Sequence, residues 1–305
     1  MPRPDFYLVG ALKSGTSAMA SYLGQHPDIY LPVKEVCFFG SDLEFRRTIH
    51  RAGDWFRPTE ERYLSFFDNY ANQVRIGEAS AYYLCSTRAA AEIQAFSPDA
   101  SIIVMLRNPP DMLRSMHNHW LFSLNEDIAD FGEALAAEED RRSGRQIPKS
   151  AFWPQGLLYR SVPRYAEQVE RFFNVFGRER VHVILFDDFR ENIHETYARA
   201  LEFLGVDPAY EANLEVVNPS RQARSKTLQR LFVDPPEWIR SLARPVLDNP
   251  RLRQQARRIA HRLNTREAIR PASSAGIRAE LTEHFRPEVE RLSDLLQRDL
   301  SAWNE

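Results

Sequence analysis

The stretch Asp5-Phe6-Tyr7-Leu8-Val9-Gly10-Ala11-Leu12-Lys13-Ser14-Gly15-Thr16-Ser17 decides how this chain folds. Asp5 to Val9 is a short, mostly apolar and aromatic run that stops at Gly10, and Thr16 to Leu23 reads as a helix. A strand, a glycine loop and a helix in succession form the unit with which an α/β sheet binds phosphate, because backbone amides and a helix N-terminus meet at the strand's carboxyl end. Two further segments repeat the pattern. Ser101 to Leu106 is a continuous β-branched run ended by Arg107-Asn108-Pro109-Pro110, with helical spacing from Asp111 to Leu121. Val181 to Phe186 is followed by Asp187-Asp188 and an amphipathic stretch, Ile193 to Leu204. Strands apolar on both faces, each followed by a helix, predict an α/β fold with a central parallel sheet flanked by helices. Other helices are expected at about Thr59 to Asp68, Thr87 to Phe96, Phe131 to Arg142 and Val162 to Phe176.

The composition narrows the class without naming a chemistry. With 305 residues, 43% of them apolar and 27% charged, the chain can bury one large core or two modest ones. Its 40 Lys and Arg against 42 Asp and Glu leave a net charge of −2, so no whole-molecule field steers a polyanion and an anion site must be built locally. Cys37 and Cys85 are too few for a disulfide scaffold and fit a reducing compartment. No apolar run approaches the roughly 18 to 20 residues of a membrane span, and the strand starting at Asp5 leaves no room for a leader, so a cytoplasmic location is expected. The charge shifts only after Asn218: residues 221–270 hold 13 Lys and Arg against 4 Asp and Glu, a local +9. The apolar residues Trp238, Ile239, Leu242, Val246 and Leu247 suggest that 219–287 is a helical extension of one domain spanning 1–305, closed by a helix over Glu288 to Trp303.

Three segments carry the chemistry. In the first loop Gly10 and Gly15 keep the glycine spacing of a nucleotide-triphosphatase loop, but Thr16 follows Gly15 and the lysine lies inside the loop at Lys13. A lysine there sits beside the bridging oxygen of a bound 5′-phosphate, where leaving-group charge develops; an incidental glycine turn with a solvated lysine is the plainer alternative. Arg107 ends a buried strand, and Ser115 follows eight residues later, two turns into the next helix. The fork of donors and the hydroxyl suit a second phosphate, while a surface ion pair at Arg107 is the alternative. Lys34-Glu35-Val36-Cys37-Phe38-Phe39 sets a carboxylate among apolar and aromatic neighbours, a setting for a general base, against the alternative of an exposed Lys-Glu pair.

Together these segments resemble the sulfotransferases that use 3′-phosphoadenosine 5′-phosphosulfate (PAPS), closest to the bacterial and heparan-type glycan branch. Lys13-Ser14-Gly15-Thr16-Ser17 is similar to the family's 5′-phosphosulfate loop and Arg107 with Ser115 to its 3′-phosphate pair. Lys34 to Phe39 is similar to the glycan branch's Lys-Glu-x-His-Phe-Phe, with Cys37 in the histidine's place. Gly77-Glu78-Ala79-Ser80 and Tyr82-Tyr83-Leu84 resemble the segment after a central strand, and Arg224-Ser225-Lys226 the basic loop over the 3′-phosphate. The resemblance implies a P-loop-like sulfotransferase fold with a helical C-terminal extension. It implies in-line sulfuryl transfer to a carbohydrate, glycolipid or small-metabolite acceptor, with Glu35 as base and Lys13 on the departing phosphate. Adenosine 3′,5′-bisphosphate (PAP) would be the product, with no metal required and no nucleic acid as partner. Two other classes stay open on the residues themselves. A P-loop kinase or NTPase would use Asp187-Asp188 for magnesium, although such residues more often begin a helix. A non-catalytic anion-binding module would use the +9 segment, which also allows peripheral contact with an anionic surface.

Overall fold

The computed structural model describes residues 2–32, 34–46, 57–215, 221–223, 265–267 and 275–305. Five parallel strands, β1 (Phe6–Gly10), β2 (Ile29–Tyr30), β3 (Arg75–Ala79), β4 (Ser101–Leu106) and β5 (Val181–Leu185), form one sheet in the spatial order β2-β3-β1-β4-β5. β1 lies at the centre, with Tyr7 opposite Glu78 on one side and Ile102 on the other. The helices are α1 (Thr16–Leu23), α2 (Glu60–Ser65), α3 (Ala89–Phe96), α4 (Pro109–Phe122), α5 (Phe131–Ala136), α6 (Glu138–Arg142), α7 (Tyr165–Phe176), α8 (Phe186–Glu191), α9 (Ile193–Leu204) and α10 (Ala275–Leu296).

The strands are apolar throughout because helices cover both faces. Side chains alternate across the sheet: Tyr7, Val9, Ile102 and Val104 pack into a core with α3, α4, α7 and α10, while Phe6, Leu8, Ile103 and Met105 pack with α1 and α9. Each such side chain, fully buried, contributes about 1.5 to 3 kcal/mol of transfer free energy. All five strands point the same way, so the loops after them gather at one edge of the sheet, the usual place for a ligand in an open α/β fold.

Within 219–287, expected to be a largely helical extension, Arg221–Ala223 (β6) and Thr265–Glu267 (β7) form an antiparallel pair between stretches far apart in sequence, which local periodicity cannot register. Arg224, Ser225 and Lys226, expected in a basic loop, lie outside the described residues. Two expectations need correction. The last helix is α10, which begins at Ala275 and carries Pro287 in its interior, and a short 3₁₀ turn (Ser301–Asn304) follows it. A proline inside a helix costs about 3 kcal/mol, but Leu281 and Phe285 before it and Val289 and Leu292 after it are all buried, and that packing keeps the helix continuous. Finally, Gly77, Glu78 and Ala79 belong to a central strand rather than following one.

Candidate active site

The loop after β1 is shaped by two glycines. A Cβ on Gly10 would lie 2.5 Å from Leu84 Cβ, so only glycine lets the turn after β3 approach this closely. Gly15 takes the left-handed conformation (φ 92°) at the N-cap of α1, and a Cβ there would press on Met105 and Phe186 at 3.2 Å. The loop is tied to the sheet by Ala11 N–H donating to Met105 O (2.6 Å). No side chain caps α1, so its first amides are left for a ligand. Ser14 is wholly buried with its hydroxyl donating to Leu12 O (3.4 Å), so it shapes the loop from beneath.

Positive charge converges on this loop. Lys13, half-buried with φ 60°, has its ammonium held down at about 8 by burial and by the nearby cations Arg107 and Lys34. Arg107 donates to Lys13 O (3.3 Å) and lies over the Phe186 ring at 4.7 Å, so it faces the loop rather than the surface. Like charges held together at an uncapped helix N-terminus repel one another unless an anion lies between them, and this donor set fits a phosphate or sulfate group. Ser115 is half-buried on α4, two turns beyond Arg107.

Lys34 was read from sequence only as Glu35's surface partner, and its part in the site was missed. Its ammonium donates to Thr16 Oγ1 (3.0 Å) at the start of α1 and to Glu35 Oε1 (2.7 Å), so it spans from the loop to the carboxylate. Glu35 sits in the left-handed region (φ 63°), its N–H donating to Ala79 O (2.9 Å) and its Oε2 accepting from Ala81 N–H (3.1 Å). The apolar neighbours expected around Glu35 turn away instead, Val36, Cys37 and Phe39 being buried in the core. The carboxylate therefore faces the loop, fixed by one cation and one amide.

Asp187 and Asp188 open α8 and turn to the C-terminal segment. Asp187 accepts from the Trp303 indole N–H (2.9 Å), and Asp188 pairs with Arg298 at 2.6 Å. Beside them Asn108 donates to Trp303 O (3.4 Å). The acidic pair that a magnesium-dependent phosphotransferase would need is thus engaged in holding the chain's end.

The sulfotransferase domain model matches residues 3–233, which include the loop, Glu35, Arg107 and the Asp187-Asp188 turn. The chain belongs to the sulfotransferase family. A sulfotransferase from Alicyclobacillus acidocaldarius of known structure is 31% identical, with a TM-score of 0.72 and 100% of both chains covered. Mouse carbohydrate sulfotransferase 15 is 25% identical over 268 residues, covering 73% of this chain and 47% of that protein. Mouse bifunctional heparan sulfate N-deacetylase/N-sulfotransferase 3 is 29% identical over 222 residues, covering 68% of this chain and 23% of that protein. This chain thus spans half or less of the length of those mouse relatives. Among the described residues no helix is long and apolar enough to cross a membrane.

Proposed function

We propose that this sulfotransferase moves a sulfuryl group from PAPS to a hydroxyl or amine of a carbohydrate or similar small acceptor. The observation that carries the reading is the geometry around Lys34: one ammonium joins Thr16 of the phosphate loop to Glu35, so the donor loop and a carboxylate face each other across a single side chain. The names of the two mouse relatives support a glycan acceptor, and two free cysteines, Cys37 and Cys85, suit a reducing, cytoplasmic setting.

In this reading the amides at the start of α1 hold the 5′-phosphate, and Lys13 stabilises the charge that grows on the bridging oxygen as its bond to sulfur breaks. Arg107 and Ser115, with Arg224, Ser225 and Lys226, take the 3′-phosphate. Glu35 receives the proton that the acceptor loses as its oxygen or nitrogen bonds to sulfur, and PAP leaves. Lys34 orients Glu35 and adds positive charge beside the moving group. In this reading the transfer passes through a loose transition state, as phosphoryl transfer does, so the protein contributes mainly position and charge.

The test is transfer from ³⁵S-labelled PAPS to chondroitin and N-deacetylated heparan oligosaccharides, with PAP affinity measured by calorimetry. Lys13→Ala is expected to lower kcat about 100- to 1000-fold. Glu35→Gln should lower it at least about 100-fold while leaving PAP affinity unchanged. Near-normal turnover in either variant removes that residue from the mechanism, and magnesium-dependent ATP hydrolysis without PAP binding would replace the reading altogether.

A further inference from the structure

Glu78, at the end of β3, is wholly buried and has no task in the reading above. Among the described residues, three hydroxyls and no cation reach its carboxylate: Ser80 Oγ donates to Oε1 (2.5 Å), and Tyr83 (2.8 Å) and Tyr63 (3.1 Å) donate to Oε2. Two of these hydroxyls also accept. Ser80 Oγ takes the Cys37 N–H (3.0 Å), and the Tyr83 oxygen takes the N–H groups of Phe38 (3.0 Å) and Phe39 (3.4 Å). A hydroxyl whose proton points at a carboxylate must turn its lone pairs elsewhere, so Glu78 sets the direction of both. The amides of Cys37, Phe38 and Phe39 therefore hang on one carboxylate through two hydroxyls. These amides begin two residues after Glu35, past Val36, in a segment where Glu35 and Cys37 both adopt left-handed φ values of 63° and 51°. Non-glycine residues hold such angles only where the surroundings over-determine them.

We propose that Glu78 is a positioning residue of the site: through Ser80 and Tyr83 it fixes the backbone at 37–39 and so sets where Glu35 presents its oxygens. The proposal rests on the role given to Glu35 above. It also implies a pH dependence. Burial pushes Glu78 up to about 7; its three hydroxyl bonds oppose that shift and negative Glu35 adds to it. The other titratable groups around it are Tyr7 on β1, Tyr63 after the N-cap of α2, Tyr83, the Cys37 thiol beside Tyr83, and Lys34 beyond Glu35. The Tyr63 and Tyr83 phenols are themselves pushed well above their usual range by burial and by Glu78, so they remain donors. When Glu78 takes up a proton, that proton must be given to one of these hydroxyl oxygens, which turns the hydroxyl aside. The aligned cradle belongs to the ionised form.

The experiment compares wild type with Glu78→Gln, Tyr83→Phe and Ser80→Ala by three measurements: hydrogen exchange of the Cys37 to Phe39 amides, PAP affinity, and the rate of PAPS hydrolysis to PAP and sulfate without acceptor. Glu78→Gln and Tyr83→Phe should exchange these amides at least about 10-fold faster and bind PAP within about twofold of wild type. Hydrolysis at pH 8 should slow about 10- to 100-fold, the scale of a misplaced catalytic group. The wild-type rate should rise through about pH 7, and that rise should vanish in Glu78→Gln. Unchanged amide exchange in these variants, or a loss of PAP affinity as large as the loss of rate, overturns the proposal. A wild-type protein that does not bind PAP would overturn the donor reading instead, and the exchange measurement would still decide the cradle.

Discussion

Glu78 and Glu126 are both carboxylates without solvent exposure, yet they are satisfied in opposite ways. Glu126, in the turn after α4, accepts from the Arg141 guanidinium (2.8 Å), from the amides of Asp127 (2.9 Å) and Ile128 (3.0 Å) and from the Tyr159 hydroxyl (2.8 Å). Both side chains of its ion pair are fully buried, and Arg141 also donates to the carbonyls of Ala134, Gln146 and Leu157. Every partner lies on the excursion between β4 and α7, so the pair ties that excursion together. Among the described residues Glu78 has hydroxyls alone as donors, a second carboxylate as neighbour, and a position one strand from the phosphate loop. The difference separates two uses of a buried charge: a matched ion pair serves the fold, whereas an unmatched carboxylate is kept where the chemistry is.

The largest expected effect breaks the matched side. Arg141→Met leaves Glu126 buried without its cation, and removing one partner of such a pair typically costs about 3 to 5 kcal/mol. Denaturant unfolding should show that loss, while the protein that remains folded keeps its PAP affinity and turnover. A loss below about 1 kcal/mol would mean that the amides and Tyr159 satisfy Glu126 alone.

The next effect concerns pH. Glu78 stands at about 7 in the folded chain against 4.5 when exposed. Between those values the unfolded chain releases a proton that the folded chain keeps, so the unfolded state binds fewer protons and stability falls as pH rises through this window. One pKa unit is worth 1.36 kcal/mol, so the contribution present below about pH 4.5 and lost above about pH 7 is on the order of 3 kcal/mol. Relative to wild type, Glu78→Gln should therefore gain stability as pH rises from about 4.5 to 7. Parallel stability curves for the two proteins would show that Glu78 is not the titrating group.

The same contrast explains what the sequence made legible. The strands at Phe6–Gly10, Ser101–Leu106 and Val181–Leu185 announce themselves because both of their faces are apolar. The strand Arg75-Ile76-Gly77-Glu78-Ala79 does not, since a glycine and a carboxylate in a central strand contradict strand propensity, and that contradiction marks the residue now assigned to the site. Lys13, Arg107 and Glu35 are legible as candidates because each ends or follows a strand at the sheet's ligand edge. The pairing of Lys34 with Glu35 is legible in sequence, but its reach to Thr16 is not, because that contact joins residues 18 positions apart and no local pattern registers it. The helix start at Ala275 was missed because Pro287 reads as a breaker until the packing of Leu281 and Leu292 on either side is known.

The smallest effect sharpens the comparison by removing one hydroxyl from each carboxylate and leaving the ring in place. Tyr159→Phe takes one donor of four from Glu126, whose charge is still met by Arg141, and should cost about 1 kcal/mol. Tyr63→Phe takes one donor of three from Glu78, and the ring can keep its stacked contact with Phe38 (centroids 4.2 Å apart). The lost bond favoured the ionised form, so the Glu78 titration should move upward from about 7 and the fall of stability with pH should extend to higher pH by a similar interval. Because Tyr63 accepts none of the Cys37 to Phe39 amides, those amides should stay protected above the new midpoint. A stability-against-pH curve left unmoved by Tyr63→Phe would show that this hydroxyl does not tune Glu78.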